Sequence, residues 1–101
     1  MIKVKTGVQF HPKSLRCSEA LRMLWIAQRE APVGYEMTIT SGCDGEHKVN
    51  SAHYRGEAFD LRTRDLQIHD VEVWVENIQE MLGGNYFVLL ESDHIHMQVR
   101  T

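Results

Sequence analysis

Apolar residues recur along this chain with two different periods, and the points where the period changes mark out its elements. From Ser18, the residues Leu21, Leu24, Trp25 and Ala27 fall at helical spacing, with Ser14 or Ser18 available as N-cap and Pro32-Val33-Gly34 as a stop. A first helix is therefore expected over about 18–31. The stretch YEMTITS, residues 35–41, alternates and is rich in Thr, which favours a strand. GCDGEHKVNSAHYRG, residues 42–56, breaks all periodicity with three glycines and reads as a long polar loop of the kind that usually carries function. EAFDLRT resumes a strand. From Asp70, the set Val71, Trp74, Val75, Ile78 and Leu82 gives a second helical stripe, stopped by Gly83-Gly84. YFVLLE and HIHMQVR follow as strands joined at Ser92-Asp93, so they should pair antiparallel. This order predicts an α+β domain with helices packed on one face of a mostly antiparallel sheet. Trp25 and Trp74, both on helical apolar stripes, are assigned to the core.

Length and composition add bounds to this picture. The chain has 101 residues and no repeat or low-complexity tract, and is read as a single domain over residues 1–101. Its eleven basic residues are scattered among fourteen acidic ones, for a formal charge of −3, which argues against a nucleic-acid partner. No apolar run approaches the ~20 residues needed to span a bilayer, and no membrane partner is expected. The start MIKVKTGVQF lacks the apolar core of a secretory signal, so synthesis in a cytoplasm is expected. Cys17 and Cys43 stand far apart without CxxC spacing, which fits reduced thiols. Six histidines in so short a chain are the one compositional oddity.

Several of those histidines fall where chemistry can be built. In HIHMQVR, alternation sends His94, His96, Gln98 and Arg100 to one face and Ile95, Met97 and Val99 to the other, which must be the core side. Phe59 and Leu61 likewise point to the core and leave the Asp60 carboxylate on the polar side. Gly56 lets the backbone bend so that His53 returns beside Asp60. A His, an Asp and a second His make three ligands for zinc, which leaves a fourth position for water. Zinc lowers the pKa of that water to about 7, so amide hydrolysis becomes accessible. Asp93, three residues before His96, and Glu91, five before it, are candidate general bases. His94 and His47, close by but off the metal, could hydrogen-bond the oxyanion.

SAHYRGEAFD, residues 51–60, fits the pattern S-x-H-x-x-G-x-A-x-D at Ser51, His53, Gly56, Ala58 and Asp60. Together with HIH at 94–96, it resembles the zinc D-alanyl-D-alanine peptidases, a family of bacterial cell-wall carboxypeptidases and phage endolysins. DGEHKVNSAHYRGEAFDLRT and ESDHIHMQV are also similar to the hedgehog signalling domain, which shares that fold and zinc site. The resemblance spans about residues 36–101. It implies a hedgehog/D,D-peptidase-like fold and zinc ligands at His53, Asp60 and His96. It also implies an acid/base carboxylate at Asp93, with Glu91 as the alternative, and a place for His47 beside the metal. Many of the carboxypeptidases carry an arginine shortly after the TSG equivalent, where it clamps the free carboxylate of the peptide. Here TSGCDGEH has none, which favours an endopeptidase cutting within the peptidoglycan stem peptide; Arg55 and Arg62 are the candidate substitutes. The expected partner is thus a peptidoglycan peptide, met by a monomeric enzyme after release to the cell wall. The competing expectation is a non-catalytic, zinc-stabilised binding module of the hedgehog type.

Overall fold

The hairpin at the end of the chain sets the frame. Glu91-Ser92-Asp93 reverses the backbone, closed by Glu91 N–H donating to the His94 carbonyl at 2.9 Å, and the alternating residues on either side pair antiparallel. The computed structural model describes residues 2–12, 18–44, 51–53 and 55–100; Ser14, Cys17 and His47 lie outside them. In chain order the elements are β1 Lys3–Val4, α1 Ser18–Arg29, β2 Thr38–Ser41, β3 Ala58–Arg62, α2 Ile68–Leu82, β4 Tyr86–Leu90 and β5 His94–Val99. They form an α+β domain around one five-stranded sheet of order β1-β2-β3-β5-β4.

The β2–β3, β3–β5 and β5–β4 pairings are antiparallel, whereas β1 runs parallel to β2, so the sheet is mixed. β1 was not expected from the sequence. At two residues, Lys3–Val4, it is too short to show any period. β2 is also shorter than the expected 35–41, because Tyr35 and Met37 are spent on a connection held by the Gln28 side chain. That amide donates to the Tyr35 carbonyl at 2.9 Å and accepts from Met37 N–H at 3.1 Å.

One apolar cluster joins both helices to the same side of the sheet. It contains Phe59 and Leu61 of β3, Ile95 and Met97 of β5, Ala20, Met23, Ile26 and Ala27 of α1, and Val71, Trp74, Ile78 and Leu82 of α2. Trp74 is 1% exposed, and its indole N–H donates to the Ala27 carbonyl at 2.9 Å, bracing the two helices. α2 follows the expected stripe, begins two residues earlier than Asp70, and ends at Gly83, whose φ of 87° only glycine adopts readily. α1 keeps Ala27 in the core and Leu24 against it, as expected, but the other inward residues are Ala20, Met23 and Ile26. Trp25 is 59% exposed and Leu21 46%, so neither belongs to the core; the Arg29 guanidinium lies 5.3 Å from the Trp25 ring centroid instead.

α2 also covers the free edge of β4. The Gln79 amide donates to the Tyr86 carbonyl at 3.0 Å and accepts from Val88 N–H at 3.0 Å, occupying backbone groups that would otherwise invite another strand. With both helices on one face, the opposite face of β3 and β5 is left to polar residues. Among the described residues, no helix is long and apolar enough to cross a membrane.

Candidate metal centre

β3 and β5 pair in a register that sets Asp60 directly opposite His96, and Arg62 opposite His94. Directly opposed side chains project from the same face, so alternation alone brings a carboxylate and an imidazole together. The third residue arrives from the preceding loop. Gly56, at φ 72°, lets the chain reverse, and the turn closes through Gly56 N–H to the His53 carbonyl at 3.1 Å and Glu57 N–H to the Ala52 carbonyl at 2.9 Å. Glu57 then hands its own carbonyl to Val99 N–H at 3.0 Å, which ties the turn to β5 and seats His53 over the strand pair.

Three donor atoms result within contact of one another. His53 Nε2 lies 3.2 Å from Asp60 Oδ1 and 3.2 Å from His96 Nδ1, and His96 Nδ1 lies 3.1 Å from Asp60 Oδ1. Hydrogen bonds on the outer side of each ring fix which nitrogen faces inward. His53 Nδ1 is 2.7 Å from the Gly42 carbonyl oxygen, which can only accept, so Nδ1 carries the proton and Nε2 presents a lone pair. His96 Nε2 likewise donates to Gln98 Oε1 at 2.7 Å and leaves Nδ1 open. Two imidazole lone pairs and a carboxylate oxygen therefore converge, an arrangement that repels itself unless a cation sits among them.

The fit to a metal ion is close. Ligand atoms ~2.0–2.1 Å from a tetrahedral centre are about 3.3–3.4 Å apart. The observed edges of 3.1–3.2 Å need only a slight opening. His53, Asp60 and His96 could thus hold a divalent metal ion. Their side chains are only 3%, 12% and 14% exposed, which shields such an ion on the protein side. In the metal-free protein a proton takes part of that role. Burial alone would raise the Asp60 carboxyl pKa, but the His53 and His96 imidazoles hydrogen-bonded to it prevail and hold it well below the usual carboxylate range. Burial alone would lower the His96 pKa, yet its bonds to Asp60 and Gln98 and the nearby Asp60 and Glu91 charges raise it.

The remaining expected residues gather around His94. Its Nε2 faces the centre, 3.7 Å from Asp60 Oδ2 and 3.8 Å from Glu91 Oε2. Its Nδ1 is held by Asp93 Oδ1 at 2.6 Å. The Asp93 carboxylate, 81% exposed, is thus turned onto His94 and not onto the three donors. His47 lies outside the described residues.

Two participants were not picked out as such from the sequence. Gln98 had been placed on the same face as His96 by alternation, a signal that it could reach the ring. The Gly42 carbonyl left no signal, because a backbone atom's direction depends on the fold around it. Gly42 is itself held by its N–H donating to Asp44 Oδ1 at 2.9 Å, and the same carboxylate oxygen accepts from Gln9 N–H at 2.9 Å. A comparison with models of known protein families finds no match to the chain.

Proposed function

We propose that this chain is a zinc-dependent peptidase with a hedgehog/D,D-peptidase-like fold, hydrolysing peptide bonds of peptidoglycan stem peptides. The observation that carries the proposal is the recessed triangle of His53 Nε2, Asp60 Oδ1 and His96 Nδ1, with His94 Nε2 3.7 Å from Asp60 Oδ2 and 3.8 Å from Glu91 Oε2. Imidazole and carboxylate together suit zinc, and three protein ligands leave one tetrahedral place for solvent. Zinc, when bound, supplies a water that ionises near neutral pH and a Lewis acid for the scissile carbonyl.

The chain's own residues supply the rest. Glu91 Oε2 lies 3.8 Å from His94 Nε2, which is itself 3.7 Å from Asp60 Oδ2, and this pairing beside the three donors supports proton transfer from water to the leaving amine. Asp93, bonded to the far nitrogen of His94, fixes the imidazole in the orientation that keeps Nε2 inward. Asp93 would therefore serve the reaction through His94, and Glu91 is the stronger choice for direct contact with the water.

Digestion of purified peptidoglycan by the zinc-loaded protein tests this reading. Chelation should abolish digestion, Glu91→Ala should remove it in a protein that still binds zinc, and Asp93→Ala should reduce it. Mass analysis of released fragments then locates the bond cut. If zinc removal merely unfolds the chain, and no digestion appears with zinc present, the chain is a zinc-stabilised binding module instead.

A further inference from the structure

Two cavities open on the polar face of the sheet, and Arg62 lines both. The first, about 310 Å³, takes in Asp60 and His94; the second, about 490 Å³, is lined by Lys3, Tyr35, Glu36, Thr38 and Asp65 besides Arg62. Each volume falls within the ~300–1,000 Å³ usual for ligand sites. A residue shared by two cavities makes them neighbours, so the second continues the first away from the metal centre.

Strand register gives the direction of that continuation. Arg62 of β3 stands opposite His94 of β5, and Lys3 of β1 stands beside Thr38 of β2. Between these pairs, Ile39 meets Leu61 in antiparallel register, which carries Thr38 toward Arg62. Ile39 and Leu61 belong to the core, so Thr38 and Arg62 project to the other, polar face. His94, Arg62, Thr38 and Lys3 therefore form one row across four neighbouring strands. Three inter-strand steps of ~4.7–4.9 Å make the row about 14 Å long, and an extended peptide at ~3.3–3.6 Å per residue needs about four residues to cover it. A dipeptide covers about half.

The lining of the second cavity says what can lie there. Lys3 pairs with Glu36 at 3.8 Å, and the Tyr35 hydroxyl donates to Asp65 Oδ1 at 2.7 Å. Burial and the Asp65 carboxylate both raise the Tyr35 hydroxyl pKa, so it stays a proton donor. Lys3 and Arg62 balance Glu36 and Asp65, which leaves the cavity without net charge. Donors and acceptors stand there together, a lining that suits the N–H and C=O groups of a peptide backbone.

We propose that the second cavity is a remote subsite, so that the substrate is an extended peptide of about four or more residues, laid across the strands from the metal centre toward β1, and not a free dipeptide. The inference rests on the peptidase reading and adds to it the length of chain that the enzyme requires.

The test uses the zinc-loaded protein and three stem-peptide fragments: acetyl-D-alanyl-D-alanine, acetyl-L-lysyl-D-alanyl-D-alanine, and the pentapeptide L-alanyl-γ-D-glutamyl-L-lysyl-D-alanyl-D-alanine. Binding is read from amide chemical shifts, and cleavage from mass analysis of the products. The pentapeptide should bind about tenfold or more tightly than the dipeptide, and it alone should move the amide signals of Gly34, Tyr35 and Asp65. Tyr35→Phe and Asp65→Asn should each shrink the ratio of long-peptide to short-peptide affinity, while Arg29→Gln on α1 leaves it intact. Equal affinity for all three fragments, no binding of the pentapeptide, a length preference without movement of those three signals, or one that survives both variants overturns the subsite. Cleavage without length preference sinks the subsite and leaves the peptidase reading. Length-dependent binding with those shifts, but no cleavage of any fragment or of peptidoglycan, does the reverse.

Discussion

Replacing Gly42 by alanine should weaken the metal centre without touching a ligand. A Cβ built on Gly42 would stand 2.2 Å from the Gln9 carbonyl oxygen and 3.2 Å from both Gln9 C and Phe10 Cδ1. The first contact is about 1 Å shorter than van der Waals separation allows, and both sides of it are backbone. Neither side can yield freely, since Cys43 N–H donates to that same Gln9 oxygen at 2.8 Å and Asp44 Oδ1 grips the N–H groups of Gln9 and Gly42. The displacement must therefore reach the Gly42 carbonyl, which holds His53 Nδ1 at 2.7 Å and so aims Nε2 at Asp60 and His96 in the candidate metal centre. Loss of such an orienting bond typically costs ~10–100-fold in metal affinity. That range corresponds to about 1.4–2.8 kcal/mol. Zinc titration against a chromogenic chelator measures it, with a melting curve of the metal-free protein to register any general destabilisation. Gly84→Ala, where an added Cβ meets nothing within 4 Å, is the control and should change neither. A Gly42→Ala protein with wild-type zinc affinity would refute the claim that this carbonyl positions His53.

Gln98→Leu, which removes the acceptor at 2.7 Å from His96 Nε2, should lower zinc affinity about tenfold in the same titration while the fold is kept. The depressed Asp60 carboxyl makes an acid-side prediction for the metal-free protein. Its stability contribution is fully present above about pH 4 and is lost as pH falls through the depressed folded value, so Asp60→Asn should flatten the acid limb of a stability–pH curve. Trp74→Ala should cost about 3–5 kcal/mol in denaturant unfolding. Trp25→Ala, at a 59% exposed site, should stay within about 0.5 kcal/mol.

The strand pair that carries the site was readable because period-two alternation fixes faces without knowledge of the partner. Ile95 and Met97 had to be core, so His94 and His96 had to face away, and the same logic placed Asp60 against Phe59 and Leu61. The bend at Gly56 was equally legible, since a positive φ is what a glycine in that loop offers. Helix α1 was misread in part: Ala27 of the expected stripe is buried, but the rest of its inward face is Ala20, Met23 and Ile26. Small alanines signal burial weakly, whereas Trp25 and Leu21 signal it strongly and are exposed. Asp93 illustrates a second limit: spacing to His96 put it in the right neighbourhood, but the turn directed its carboxylate to His94 Nδ1. The pairing of cations could not be read at all, because it depends on which carboxylates the fold brings within reach.

Anomalous diffraction from crystals of the zinc-loaded protein, recorded at the zinc absorption edge, tests the central claim most directly. One peak is expected, ~2.0–2.2 Å from His53 Nε2, Asp60 Oδ1 and His96 Nδ1, with a non-protein atom as fourth ligand on the side of His94. A peak elsewhere, no peak at these three residues, or a fourth protein side chain closing the coordination sphere would contradict it.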